Sequence, residues 1–169
     1  MKGGMEMENQ SFGTDDWMEA VMDAYASTVY RLAYARTGNR IDADDIFQEV
    51  FLRYVKKRPD FQSKEHGKAW FIRVTLNCTK NFWNSPFRSR QEPLTDEIPA
   101  EEIPEKHLES ELNKLPQHYR TVIHLFYFEE MSCAQIAELS NKKESTIRMQ
   151  LTRARRMLKN LIEGEAEYV

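Results

Sequence analysis

Between Pro93 and Pro104 the chain carries three prolines within twelve positions, Pro99 among them. Around them stand eight acids, Glu92, Asp96, Glu97, Glu101, Glu102, Glu105, Glu109 and Glu111, against one base, Lys106. Proline has no amide hydrogen to give a helix or a sheet, and like charges extend a chain by repulsion. Such a stretch reads as a linker, so the residues before it and after it are expected to fold as separate domains. Elsewhere the composition is globular, with 41% hydrophobic and 30% charged residues in a chain of 169. Glycine and proline stand at 6 each, which favours helices over a turn-rich β architecture.

The apolar pattern before the linker has the helical period. In DDWMEAVMDAYASTVYRLAYARTG, residues Trp17, Val21, Tyr25, Val29, Leu32 and Ala33 form one stripe, and Gly38 suits a left-handed stop. A second helix is expected over DADDIFQEVFLRYVKKR, with Asp42 as its N-cap, Ile46, Val50 and Tyr54 on one stripe, and Pro59 as its end. A third is expected from about Lys68, with Ala69, Phe71, Ile72, Val74, Thr75, Cys78 and Phe82 facing inward. Its other stripe, Trp70, Asn77 and Asn81 flanked by Arg73 and Lys80, is more polar and aromatic than a packing helix requires. Beyond the linker, Leu108, Leu112 and Leu115 mark a helical turn or two. Pro116 then opens PQHYRTVIHLFYFEE, with Tyr119, Val122, Ile123 and Phe126 expected inside. The fold predicted is all-α: two small helical domains, 14–90 and 108–165, joined by an acidic, proline-rich linker, 91–107.

The C-terminal domain ends in a helix-turn-helix pattern. Ser132 followed by Gln135 is a capping box, and Asn141 tolerates the left-handed geometry of a tight turn. Ser145 or Thr146 is expected to cap the second helix. Along that helix Ile147, Leu151, Ala154, Leu158 and Leu161 hold one register, and Ser145, Met149, Thr152, Arg153 and Arg156 take the opposite side. From Met131 to Ile162 seven bases face two acids, a local charge of +5 in a chain whose net charge is −3. Residues early in a recognition helix reach base edges, while flanking arginines hold phosphates. DNA binding follows as the expectation.

A second basic module runs from Lys64 to Arg90. Its bases, Lys64, Lys68, Arg73, Lys80, Arg88 and Arg90, meet the single acid Glu65, again +5. Trp70, Phe82 and Trp83 are interleaved with them. Cations beside aromatic rings suit single-stranded nucleic acid, whose unstacked bases find a flat surface there.

Two motifs in this order across an acidic linker resemble the bacterial RNA polymerase sigma factors of the extracytoplasmic-function (ECF) group, from about Asp15 to Glu163. DADDIFQEVFLRYV is similar to the region that binds the polymerase clamp. AWFIRVTLNCTKNFW is similar to the region that captures the −10 promoter element. The segment from Leu115 to Leu158 is similar to the domain that reads the −35 element. The resemblance implies that Asp45, Gln48, Glu49 and Arg53 meet the clamp coiled coil of the largest polymerase subunit. It places Asn77, Lys80 and Asn81, with the bases Lys64, Lys68 and Arg73 nearby, at melted −10 DNA, and the loop from Phe61 to Lys68 around a flipped base. It places Arg148, Met149, Thr152 and Arg153 in the −35 major groove after Ser145 and Thr146, with Arg155 and Arg156 nearer the phosphates. Val122 to Phe128 would dock on the β-subunit flap. Here Asn141 stands where glycine is usual, Lys142 where an apolar residue is common, Met149 and Gln150 where Ser-Arg is frequent, and Asn81 where aspartate is frequent.

The function so implied is that of a sigma factor, binding core RNA polymerase and directing promoter-specific initiation under control of an anti-sigma factor. The alternative, a helix-turn-helix transcription regulator acting alone, leaves DADDIFQEVFLRYV and the second basic module without a role. The chain is read as a non-enzyme without cofactor or metal. His66, His107, His118 and His124 form no zinc pattern, and the glycines form no phosphate loop. Cys78 and Cys133 are expected reduced and buried. No apolar run approaches a membrane span, and residues 1–16 lack a signal core. A cytoplasmic protein is expected, with no membrane insertion of its own, held at the membrane only through an anti-sigma factor.

Overall fold

A computed structural model describes residues 14–84 and 105–166. Every regular element among them is a helix: α1 (Thr14–Thr37), α2 (Arg40–Lys57), α3 (Lys64–Trp83), α4 (Glu105–Lys114), α5 (Gln117–Ile123), α6 (Cys133–Ser140) and α7 (Glu144–Ala166). The chain divides into two compact units between Thr79 and Lys80, within α3. That is earlier than the boundary expected near residue 90. Residues 91–104 of the linker expected over 91–107, together with Arg88, Arg90, the first thirteen residues and the side chain of Trp83, lie outside the described residues.

In the first unit the α1 stripe is the core, as its period requires: Val21, Tyr25, Val29, Leu32 and Ala33 are buried. Trp17, at the open end of the stripe, stacks on Tyr54 at 5.4 Å and carries the Arg58 guanidinium over its face at 5.0 Å. Phe71 of α3 is fully buried. The rings of Tyr25, Phe51 and Tyr54 lie 4.7, 5.3 and 5.2 Å from it, so one side chain ties all three helices together. Gly67 lets α3 approach closely: a Cβ there would stand 2.2 Å from the Tyr25 hydroxyl.

In this unit two helix starts differ from expectation. Asn39, not Asp42, caps α2. Its extended backbone lets Oδ1 accept from the Asp42 amide at 2.8 Å while Nδ2 donates to the Asp42 carboxylate at 2.6 Å. The α3 helix begins at Lys64 and not Lys68, because Ser63 Oγ accepts the His66 amide at 3.1 Å. Much of the segment from Phe61 to Lys68, expected as a loop, is therefore the first turn of a helix. Gly38, at φ 78°, ends α1 as expected.

In the second unit α4 starts at Glu105, inside the expected linker. Of its leucine stripe only Leu115 is buried; Leu108 is exposed, and Glu111 is buried instead, paired with Lys114 at 2.6 Å. Pro116 occupies the N-cap of α5. After Ile123 the helix widens into a π-helical turn, His124–Phe128. This turn takes one more residue than an α turn and shifts the register. Val122, Ile123, His124 and Leu125 are buried, Tyr119 and Phe126 only partly so, and Tyr127 and Phe128 face solvent.

The helix-turn-helix forms as its local chemistry dictates. Ser132 Oγ accepts the Gln135 amide at 3.1 Å, and Gln135 Oε1 accepts the Ser132 amide at 2.9 Å. Asn141 caps α6 at φ 53°. However, α7 begins at Glu144, where the Lys143 carbonyl already accepts the amides of Thr146 and Ile147. Ser145 and Thr146 thus lie in its first turn and do not cap it. Ile147, Leu151 and Ala154 are buried with Ile136 and Ala137 of α6, and Leu158 and Leu161 are half-buried. Cys78 is buried, but Cys133, first in α6, is only half-buried; both are free thiols. No helix among the described residues is long and apolar enough to cross a membrane.

Candidate functional site

Three helices present the residues singled out from the sequence. On α2, Asp45, Gln48 and Glu49 are exposed on the side opposite Ala43, Ile46 and Val50. Arg53 is half-buried and donates from Nε to Glu49 at 2.8 Å. That hydrogen bond raises the guanidinium pKa. Ile41, Leu52 and Val55 are also exposed on α2, an apolar component that attention to charge had passed over. The signal was present: Leu52 lies three and four residues from Glu49 and Gln48, off the buried stripe.

Along α3, Lys64, Arg73, Asn77, Lys80 and Asn81 are exposed and Lys68 is half-buried. Steps of four, three and one from Arg73 keep these four side chains to one side of the helix. Trp70 was expected beside Asn77 and Asn81. Instead it lies within 5.8 Å of the Tyr54 and Phe61 rings and 5.0 Å of Phe71. Its ring extends the aromatic core and leaves a polar, cationic surface beside it.

On α7, Ser145, Arg148, Met149, Thr152, Arg153 and Arg156 are exposed and Thr146 is half-buried. Arg148 makes a two-nitrogen contact with one carboxylate oxygen of Glu144, from Nε at 3.2 Å and from Nη2. The hydrogen bond to Glu144 raises its pKa. Arg153 and Arg156 make no side-chain hydrogen bond or ion pair among the described residues, so their charge faces solvent. Arg155, expected near phosphates, is held elsewhere. Its Nε donates to the Tyr127 hydroxyl at 2.6 Å, and its guanidinium sits over the Phe126 and Tyr127 rings at 5.2 and 5.4 Å. Gln150 is turned into the core, away from the surface that carries Met149. Among the described residues no group of three or more His, Cys, Asp or Glu is placed to hold a metal ion.

Two all-helical units, each with a basic helix face opposite its core, thus carry the candidate residues. The family description "Sigma-70 region 2" matches residues 21–86, and "Sigma-70, region 4" matches residues 106–158. These define the chain as a sigma-70-type transcription initiation protein. Among curated relatives, the ECF RNA polymerase sigma factor SigE of Mycolicibacterium smegmatis is 31% identical over 159 residues, covering 86% of this chain and 61% of that protein. SigW of Bacillus subtilis is 28% identical over 167 residues, covering 87% of this chain and 89% of that one. The chain belongs to the ECF RNA polymerase sigma factors. In fold it is similar to RpoE of Bartonella quintana, crystallised with the anti-sigma factor NepR. The TM-score there is 0.69 at 17% identity, over 88% of this chain and 98% of that one. It is also similar to CnrH, solved with the cytosolic domain of CnrY, at a TM-score of 0.63 and 20% identity, over 90% and 91% of the two chains.

Proposed function

We propose that this chain joins core RNA polymerase and supplies its promoter specificity, with no chemistry of its own. The observation that carries this reading is the placement of charge. On α7 Arg148, Arg153 and Arg156, and on α3 Arg73 and Lys80 beside Asn77 and Asn81, stand on the side of a helix turned away from its core, leaving both faces open to DNA. In the reading, residues 14–90 hold the polymerase clamp through Asp45, Gln48, Glu49 and Arg53 of α2, with Leu52 and Ile41 adding apolar contact. Lys64, Lys68, Arg73, Asn77, Lys80 and Asn81 of α3 hold a melted −10 strand. Residues 108–165 read the −35 element through Ser145, Thr146, Arg148, Met149, Thr152, Arg153 and Arg156. The exposed Tyr127 and Phe128 suit an apolar partner surface, the β flap in this reading. Binding to one strand on α3 offsets the cost of unstacking the duplex. An anti-sigma factor is proposed as a further partner from likeness to the NepR- and CnrY-bound structures, and a cytoplasmic location accords with that assembly.

Run-off transcription with core polymerase on genomic fragments, paired with gel shift, tests the reading. The holoenzyme is expected to initiate at discrete promoters, and the isolated chain to shift duplex DNA weakly and without sequence preference. Tight sequence-specific binding by the chain alone would instead establish a stand-alone regulator.

A further inference from the structure

The recognition helix has an unusual property at its crest. With about 100° between successive residues, Ser145, Met149, Thr152 and Arg156 lie within about 40° of the direction opposite buried Ile147. Arg148 and Arg153 flank that line on either side. Two hydrogen-bonding side chains beside Met149 are committed within the helix. Thr152 donates its hydroxyl to the Arg148 carbonyl at 3.0 Å, so the methyl is the side chain's uncommitted group. Arg148 is drawn sideways onto Glu144 through two of its nitrogens. Between them Met149 is 43% exposed, an unbranched apolar side chain on a surface with no core to serve.

Resting on the reading of α7 as the −35 helix, we infer that Met149 and the Thr152 methyl form an apolar reader of thymine 5-methyl groups in the major groove. Thymine alone among the four bases presents a methyl there, and apolar side chains discriminate by touching it. Ser145, small and one turn earlier, allows the helix to approach closely enough for that contact. Arg153 beside the crest and Arg156 at its C-terminal end supply attraction to phosphates.

The test removes the methyl and nothing else. Holoenzyme is reconstituted from the full chain and core polymerase on a promoter found by run-off transcription. Thymines of its −35 element are then replaced singly by deoxyuridine. At one or two positions promoter binding is expected to weaken about fourfold, the effect of one methylene-sized apolar group. Met149→Ala is expected to weaken the unmodified promoter by a similar factor and to lose sensitivity to deoxyuridine at one of these positions. Thr152→Ser, which keeps the hydroxyl, should lose it at the neighbouring one. Both side chains are exposed, so the variants fold. Deoxyuridine that is harmless everywhere, or equally harmful to wild type and both variants, overturns the inference. Arg153→Ala separates this failure from that of the underlying reading. If it weakens promoter binding while methyl coupling is absent, α7 faces DNA and only the methyl reader falls. If no α7 variant changes promoter binding, both fall.

Discussion

Gly67 illustrates how a single missing side chain fixes a helix pair. Alanine is the better helix former by about 1 kcal/mol, so on propensity alone Gly67→Ala would stabilise α3. Here the added Cβ would stand 2.2 Å from the Tyr25 hydroxyl and 2.7 Å from Cζ. Tyr25 cannot swing aside, being buried, stacked on Phe71, and bonded through its hydroxyl to the Lys64 carbonyl at 3.2 Å. The clash wins, and Gly67→Ala is expected to destabilise the chain by about 1–3 kcal/mol in urea unfolding. In a Tyr25→Phe background the same change should cost less, since the nearest atom is gone; strictly additive costs would show that the two residues do not meet. The cysteines give a second test at this scale. Burial pushes the Cys78 thiol pKa up, against a smaller lowering by Arg53, so little thiolate forms at pH 8 and access is poor. Iodoacetamide on the native chain should label Cys133 first and Cys78 only after denaturation. Equal labelling of both would contradict the buried placement of Cys78 in α3.

The helix-turn-helix was the most legible element because its determinants are local. Ser132, Gln135 and Asn141 act within a few residues of themselves, and each does in three dimensions what its chemistry announces. Ser132→Ala is accordingly expected to cost about 1 kcal/mol, and Ser132→Gly only a few tenths. Urea midpoints for the two variants decide it, and a glycine as damaging as alanine would mean the capping hydrogen bond is not what matters. The α1 stripe was equally readable, since five of its six members are buried. What escaped was set by contacts distant in sequence or by competing caps. The start of α3 went to Ser63, one residue before the helix, while an apolar pattern marks only where packing begins. The π-helical turn at His124–Phe128 alters the side-chain register, so counting in steps of 3.6 placed Phe126 too deep and missed His124. For the candidate site, the exposed polar residues of α2, α3 and α7 could be assigned from helical phase alone. The diversion of Arg155 to Tyr127 could not, because it spans 28 positions.

At the scale of the whole chain, a net charge of −3 coexists with two segments of +5 each. Beyond a Debye length the charges of chain and DNA are largely screened from one another, so two small basic faces on an acidic protein act only at close range and give it selectivity and little grip. A chain of this kind depends on a larger partner for affinity, and its two tasks should then be separable by mutation. Exchanging Glu49 and Arg53, as Glu49→Arg with Arg53→Glu, keeps an i,i+4 ion pair on α2 while inverting its surface charge. A surface pair of this sort contributes only about 0.3–0.5 kcal/mol, so folding should be unaffected. Binding to core polymerase is expected to fall at least tenfold, with duplex binding by the isolated chain unchanged. Arg153→Ala with Arg156→Ala should do the reverse, leaving core binding intact while promoter-directed transcription is lost. Its effect on DNA can be counted: each phosphate contact removed lowers the slope of log affinity against log salt by about 0.9. An exchanged α2 pair that still binds core polymerase normally would move the clamp contact away from α2. An unchanged salt slope in the double arginine variant would move the phosphate contacts off α7.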